Sequence, residues 1–205
     1  MIKSQYRDFW KTVLLFGALY VILMAVAAPL IDIPNYGCMF VIPAYFIVLL
    51  VVFPIVKTGR FWAGMALFLP YTVLGFFPTY YFEWMTGHNL KGLWGVFAWC
   101  LLGPLVGLVG DLAYRFLPPT LSEKLQAIIT GATIGAAIFF TTWFALTQFY
   151  VVASMDSHLR YFAQGWYFSL PWLAINGGFA GYTAYAMTKK TAVGAIGVVQ
   201  DANRI

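Results

Sequence analysis

The chain has 205 residues, of which 62% are hydrophobic and 9% are charged, and its formal net charge at pH 7 is +5. Soluble domains are about 45–50% apolar and about 25% charged, so this composition excludes a soluble enzyme, a nucleic-acid-binding domain and a disordered chain. The polar residues are too few to cover a globule in water, so we expect the lipid bilayer to be its solvent. No nucleic-acid partner is expected, because basic residues in such a chain mostly set its orientation.

Six apolar runs are long enough to cross a bilayer, because a transmembrane helix needs about 20 mainly apolar residues. The runs are Thr12–Leu30, Met39–Val56, Phe61–Phe82, Leu93–Leu112, Leu125–Val152 and Gly165–Met187. None alternates polar and apolar residues as transmembrane strands do. The sequence therefore predicts an all-α polytopic membrane protein with six transmembrane helices in residues 1–190. Residues 191–205 are predicted to be a cytoplasmic tail that is loosely ordered or held by a partner.

The basic residues predict how the chain is oriented. Ten of the twelve Lys and Arg residues fall in segments that the six runs place on one side, and Lys91 and Arg160 fall on the other. Segments rich in Lys and Arg stay on the cytoplasmic side of a membrane. We therefore expect both termini in the cytoplasm and a multi-pass protein of the plasma membrane.

A single carboxylate lies among aromatic residues at the outer end of the third run. An anion in such surroundings suits the capture of a small polar or cationic organic molecule. Asn176, in the middle of the sixth run, could line the same pocket or form a hydrogen bond between helices. The predicted ligand-binding residues are Tyr80, Glu83, Trp84, Trp166 and Asn176. An aromatic belt at the headgroup level is the commoner explanation of such aromatics, and Glu83 could equally be a plain helix-end charge.

The same outer loops contain both histidines of the chain. His88, Asp156 and His158 are weak candidates for metal ligands, because none of them has the i, i+4 spacing of a helical metal site. The chain also lacks a nucleophile motif, a phosphate-binding glycine loop and a CxxC pair. We therefore assign no catalytic residue and expect no cofactor.

Asp111 and Arg115 are four residues apart near the inner end of the fourth run. Residues at this spacing share a helix face, so the two side chains are predicted to form an ion pair. A carboxylate at that depth is costly unless it is paired or faces protein. A structural or partner-contact role is favoured over a proton relay.

Small residues recur at close-packing spacing. Gly103 and Gly107 form one GxxxG motif, and Gly131 and Gly135 form another. GxxxG motifs allow two helix backbones to approach closely. These contacts could be made inside the chain or with another subunit, so Gly103 and Gly107 are candidate docking residues.

The stretch from Gly103-Pro104 through Gly107 to Gly110-Asp111 resembles a helix of the substrate-binding S-components of energy-coupling-factor vitamin transporters. Residues 124–135 resemble the next helix of that family, and about half the chain has the resemblance. The resemblance implies an outer ligand pocket for an organic substrate. It also implies docking through Ala18, Ala25 and Ala28 onto a coupling subunit driven by cytoplasmic ATPases.

Two functions follow as hypotheses. The first is a small-molecule-binding subunit of a transporter, similar to an S-component, which captures a small organic solute at the outer face. The alternative is a non-catalytic accessory subunit of a larger membrane enzyme or respiratory complex, because glycine-rich and aromatic faces could pack against partner helices. A metal-dependent membrane enzyme that uses the outer histidines is a third, weaker hypothesis.

Overall fold

The computed structural model describes residues 2–31, 41–73, 93–149 and 166–202, and each described element is helical. The helices are α1 (Ile2–Ile31), α2 (Val41–Thr58), α3 (Ala63–Ala66), α4 (Leu69–Tyr71), α5 (Leu93–Phe116), α6 (Glu123–Phe149) and α7 (Trp166–Ala202). No strand occurs within these ranges, so the predicted all-α class is confirmed.

The main core lies where α1, α2, α3 and the residues Leu67 and Phe68 meet, and it extends to buried residues of α5, α6 and α7. The buried face of α1 contains Phe9, Val13, Phe16 and Tyr20, at the three- and four-residue spacing of one helix face. Phe16 stacks on Phe53 of α2, with 4.4 Å between ring centroids. Tyr20 meets the ring of Phe68 edge-on at 4.8 Å, so α1 is held to both of its neighbours by aromatic contacts.

Helices α6 and α7 are antiparallel and touch backbone to backbone. A β-carbon built on Gly131 would overlap the carbonyl oxygen of Gly177, and a β-carbon on Gly177 would overlap that of Gly131. Two further contacts continue this line, Gly135 with Leu173 and Gly181 with Ala127. The residue numbers rise along α6 as they fall along α7, which fixes the antiparallel direction. The second GxxxG motif is therefore used inside the chain.

The third apolar run is helical in its described part but is not one regular α-helix. Its described part consists of α3, a turn at Leu67 and Phe68, and α4. Pro70 in α4 has no N–H to donate to the carbonyl of Ala66, so the regular hydrogen-bond pattern stops here. The run also begins with Trp62 in the left-handed region, at φ 78°. The described part of this run is therefore helical but irregular near Pro70.

Three basic residues, Arg60, Arg115 and Lys189, make contacts at one end of the bundle. Arg60 lies over the ring of Tyr6, 4.4 Å from its centroid. Arg115 lies over Phe61, the neighbour of Arg60 in the chain, at 5.6 Å. Lys189 of α7 forms an ion pair of 2.7 Å with Glu123 at the start of α6, which follows α5 after a short connection. These contacts place side chains from the predicted cytoplasmic segments together.

Helix α7 continues past the predicted end of the helical domain. Residues 191–202, which the sequence analysis assigned to a tail, are part of the same helix as Trp166. The backbone of α7 therefore has no boundary at residue 190.

One helical stretch in the described part of the chain, Glu123–Thr141, is both long and apolar enough to cross a membrane. Ala44–Thr58 is apolar but shorter. Of the Glu123–Thr141 stretch, 39% is buried inside the protein. This finding gives weak support to a membrane protein, and the number of spans stays a prediction.

Candidate functional site

The structure separates the two described members of the predicted ligand set. Trp166 is the first residue of α7 and is 57% exposed, whereas Asn176 is half-buried farther along the same helix. Ten residues of α-helix rise about 15 Å, so these two side chains do not meet. Tyr80, Glu83 and Trp84 lie outside the described residues.

The candidate metal ligands His88, Asp156 and His158 also lie outside the described residues. Within the part of the chain that the structure describes, no group of three or more His, Cys, Asp or Glu side chains could hold a metal ion. No residue there is assigned to a metal.

The predicted docking residues fall into two groups. Ala18 is exposed on α1, and Ala25 and Ala28 lie farther along the same helix. Gly103 and Gly107 are buried within the chain: Gly103 faces the ring of Phe68, and Gly107 touches the backbone of Gly64. The first GxxxG motif is therefore already occupied by the third apolar segment.

Asp111 joins α5 to the start of α3. The side chain is only 3% exposed. Its Oδ1 accepts a hydrogen bond of 3.0 Å from the backbone N–H of Gly64, and Oδ2 accepts one of 3.1 Å from that of Met65. The first N–H groups of a helix have no partner within the helix, and this carboxylate supplies one for two of them.

The backbone before α3 is shaped to receive that carboxylate. Trp62 adopts φ 78° and ψ 0°, and the chain turns into right-handed helix at Ala63. A left-handed residue next to a right-handed one points successive N–H groups towards a single anion. The approach also needs the contact between Gly64 and Gly107, where any larger residue would push the two backbones apart.

The predicted ion pair between Asp111 and Arg115 is wrong. Arg115 is exposed, and its guanidinium lies over the ring of Phe61 at 5.6 Å. Among the described residues, the ion pair within 4 Å is that of Lys189 with Glu123. The backbone amides of Gly64 and Met65 are the partners of the carboxylate instead. The favoured structural role of Asp111 agrees with this geometry.

A second feature, which the sequence analysis missed, is a groove between α6 and α7 on the surface of the protein. Its volume is about 530 Å³. Its lining includes the small residues Ala132, Ala174 and Gly178 and the larger apolar residues Ile128, Ile175 and Phe179. Lys124 and Tyr182 close one end, with Nζ of Lys124 4.9 Å from the ring centroid. We call this feature the α6–α7 groove.

The spacing of small residues in the sequence indicates part of the α6–α7 groove. Ala174 and Gly178 are four residues apart on α7, and Lys124 and Ala132 are eight residues apart on α6. Each pair shares a helix face. Which helices combine to form a groove depends on tertiary packing, so those spacings alone do not place the faces together.

Asp111 therefore holds the third apolar segment, whereas the α6–α7 groove offers an apolar surface with a cation at one end. Of these two features of the described residues, the groove is the one with open volume, whereas both carboxylate oxygens of Asp111 accept backbone hydrogen bonds. Comparison with known protein families, with characterised proteins and with solved structures finds no match.

Proposed function

We propose that this chain is an integral protein of the plasma membrane with six spans and both termini in the cytoplasm. It acts as the small-molecule-binding subunit of a transporter and captures a small organic solute at the outer face. Its partners are the lipid bilayer and the other subunits of the transporter. In an arrangement similar to that of an S-component, these subunits are a coupling subunit and ATPases.

The distribution of apolar side chains supports the membrane placement. Leu14, Leu15 and Leu19 are exposed on the face of α1 that points away from the core. Trp172, Ile175 and Phe179 are exposed along α7. Monomeric soluble proteins rarely expose contiguous apolar patches of this kind. A helix that is apolar on all faces is stable when lipid covers the faces that protein does not.

The irregular helix of the third apolar segment is the observation that favours a binding subunit. Leu67 and Phe68 keep right-handed dihedral angles, but Pro70 removes one hydrogen bond of the regular helix there. Transmembrane helices with a local break form the substrate sites of many transporters. Asp111 holds the inner end of this segment, and its outer end leads in the chain towards Glu83.

The topology is tested by thiol labelling in a background in which Cys38 and Cys100 are replaced by Ala. Single cysteines at Asp156 and Lys190 should react with an impermeant reagent from opposite sides of the membrane. Labelling of both positions from the same side would overturn the six-span arrangement.

The binding function is tested by identifying the small molecules that copurify with the protein in gentle detergent. We expect a cationic or amine-bearing solute whose amount falls about 10-fold or more in Glu83→Gln, as expected when a charge-assisted hydrogen bond is lost. Glu123→Gln is the matched control, because this carboxylate lies at the basic end and pairs with Lys189. Equal retention by the two variants would contradict the proposed site.

An accessory subunit of a larger membrane complex is the second candidate. The observation that favours it is the exposed apolar surface of α7 around Trp172 and Phe179, which could pack against a partner helix. Gentle extraction distinguishes the two functions. Copurification of ATPases and a coupling subunit supports the transporter, whereas copurification of large enzyme subunits supports the accessory role.

A further inference from the structure

The geometry points to the α6–α7 groove as a binding site for an anionic phospholipid, with the phosphate near Lys124 and one acyl chain along the groove. The inference rests on the membrane placement proposed above, but it does not depend on transport. It assigns a ligand class to a surface whose lining does not include Asp111.

The charge at the groove is the first argument. Lys189 at this end is paired with Glu123 at 2.7 Å. Within the described residues, Lys124 has no carboxylate within 4 Å, and its ammonium rests over Tyr182 at 4.9 Å. A cation held over a ring keeps its charge available for an anion on its other side. Basic residues at the cytoplasmic surface attract anionic lipid headgroups.

The shape of the groove is the second argument. Lys124 is at the start of α6, and Ala132 lies eight residues farther along, a rise of about 12 Å. Over this length the large side chains of Ile128 and Phe179 stand beside the small ones of Ala132 and Gly178. The groove therefore starts at a cation and continues as apolar surface. A phospholipid has the complementary order, an anionic phosphate followed by an apolar acyl chain.

The occupant is a lipid and not a soluble anion, because the groove behind Lys124 is almost entirely apolar. An acyl chain gains little hydrophobic free energy by moving from bilayer to groove, since both are apolar. Preference for a lipid class must therefore come from the headgroup. One lysine near the membrane surface gives about a fivefold preference for an anionic over a zwitterionic lipid.

The experiment uses the full chain in phosphatidylcholine vesicles that contain a small amount of photoactivatable phosphatidylglycerol with a diazirine in its acyl chain. After irradiation, cross-linked peptides are mapped by mass spectrometry. We expect cross-links to concentrate on Ile128, Ile175 and Phe179. Photoactivatable phosphatidylcholine should give about fivefold fewer cross-links at these residues.

Variants separate charge from shape. Lys124→Gln should reduce the phosphatidylglycerol cross-links in the groove about fivefold, whereas Lys124→Arg should keep them. Lys57→Gln is the matched control, because it removes a basic residue of α2 that does not line the groove. Ala132→Leu fills the groove and should reduce cross-links from both lipids. Thermal unfolding shows that each variant is folded.

Several results would overturn the inference, and they differ from failure of the membrane placement. Cross-links spread evenly over exposed helix faces, or unchanged in Lys124→Gln, would reject the groove while leaving the chain in the bilayer. A photoactivatable amino acid in place of Phe179 that cross-links two polypeptides, and not lipid, would show that a second copy occupies the groove. An absence of lipid cross-links anywhere on the chain would reject the bilayer placement as well.

Discussion

Gly131 of α6 and Gly177 of α7 pack directly against each other, and neither position has room for a β-carbon. The hypothetical β-carbon of each would overlap the carbonyl oxygen of the other. The two helices are therefore in contact through their backbones, and small residues permit the closest approach that helices can make. The helix register depends on this pair and on its neighbours Gly135 and Gly181.

Gly131→Ala is expected to destabilise the protein by about 1–3 kcal/mol, because the added methyl group must push two backbones apart. Gly178→Ala is the matched control, since a β-carbon there would meet its nearest neighbour, the side chain of Ile128, at an ordinary contact distance of 3.6 Å. Alanine has the higher helix propensity, so this control should be neutral or stabilising by up to about 1 kcal/mol. The apparent Tm in detergent measures both. Equal losses in the two variants would contradict the register.

Asp111→Ala is expected to cost about 2–4 kcal/mol, because it leaves the buried N–H groups of Gly64 and Met65 without their acceptor. Asp111→Asn should lose less, since one carbonyl acceptor remains. Arg115→Gln is the control: it removes a contact with the Phe61 ring worth about 0.5–1 kcal/mol. Unfolding in denaturant compares the three. If Arg115→Gln lost as much unfolding free energy as Asp111→Ala, Arg115 and not the two backbone amides would be the main partner of the carboxylate.

Trp62→Gly is expected to be more stable than Trp62→Ala by about 1 kcal/mol. Both variants lose the indole, but glycine adopts φ 78° without the steric cost that alanine has there. Ala66→Gly tests the opposite case, because in right-handed helix α3 glycine should be the less stable residue by about 1 kcal/mol. The apparent Tm of each variant gives the sign. A Trp62→Ala protein at least as stable as Trp62→Gly would rule out strain at this residue.

Tyr45→Phe is expected to cost about 0.5–1.5 kcal/mol. The hydroxyl of Thr183 donates to the carbonyl of Phe179 at 3.0 Å, so Tyr45 must be the donor in its 2.7 Å bond to Thr183. The variant removes this link between α2 and α7 but leaves the ring in place. Tyr167→Phe, at an exposed residue of α7, should change the stability by less than about 0.5 kcal/mol. Thermal unfolding of both variants checks the difference.

The long helices were predictable because their apolar runs are local properties of the sequence. The Leu93–Leu112 run lies within α5, and most of the Leu125–Val152 run is contained in α6. The capping of α3 by Asp111 was not predictable in the same way. It involves the hydrogen bonds of Asp111 to Gly64 and Met65, residues that are 47 and 46 positions away in the chain.

Partner choice was the other limit of sequence reasoning. The i, i+4 spacing correctly placed Asp111 and Arg115 on one helix, but two backbone amides of another segment were the better ligands for the carboxylate. In the same way, Gly103 and Gly107 signalled close packing without showing that the cover would be Phe68 and Gly64. The α6–α7 groove could not be read from either helix alone, because its walls come from both.

Helix α7 has 37 residues and rises about 55 Å. The hydrocarbon core of a bilayer is about 30 Å thick, so in the proposed orientation several turns of this helix stand beyond the lipid as a stalk. A cytoplasmic protein that bound the C-terminal end of α7 would bind a continuous helix and not a flexible linker. Its height above the membrane would then be set by helical rise, and a rotation of α7 at that end would turn the groove residues with it.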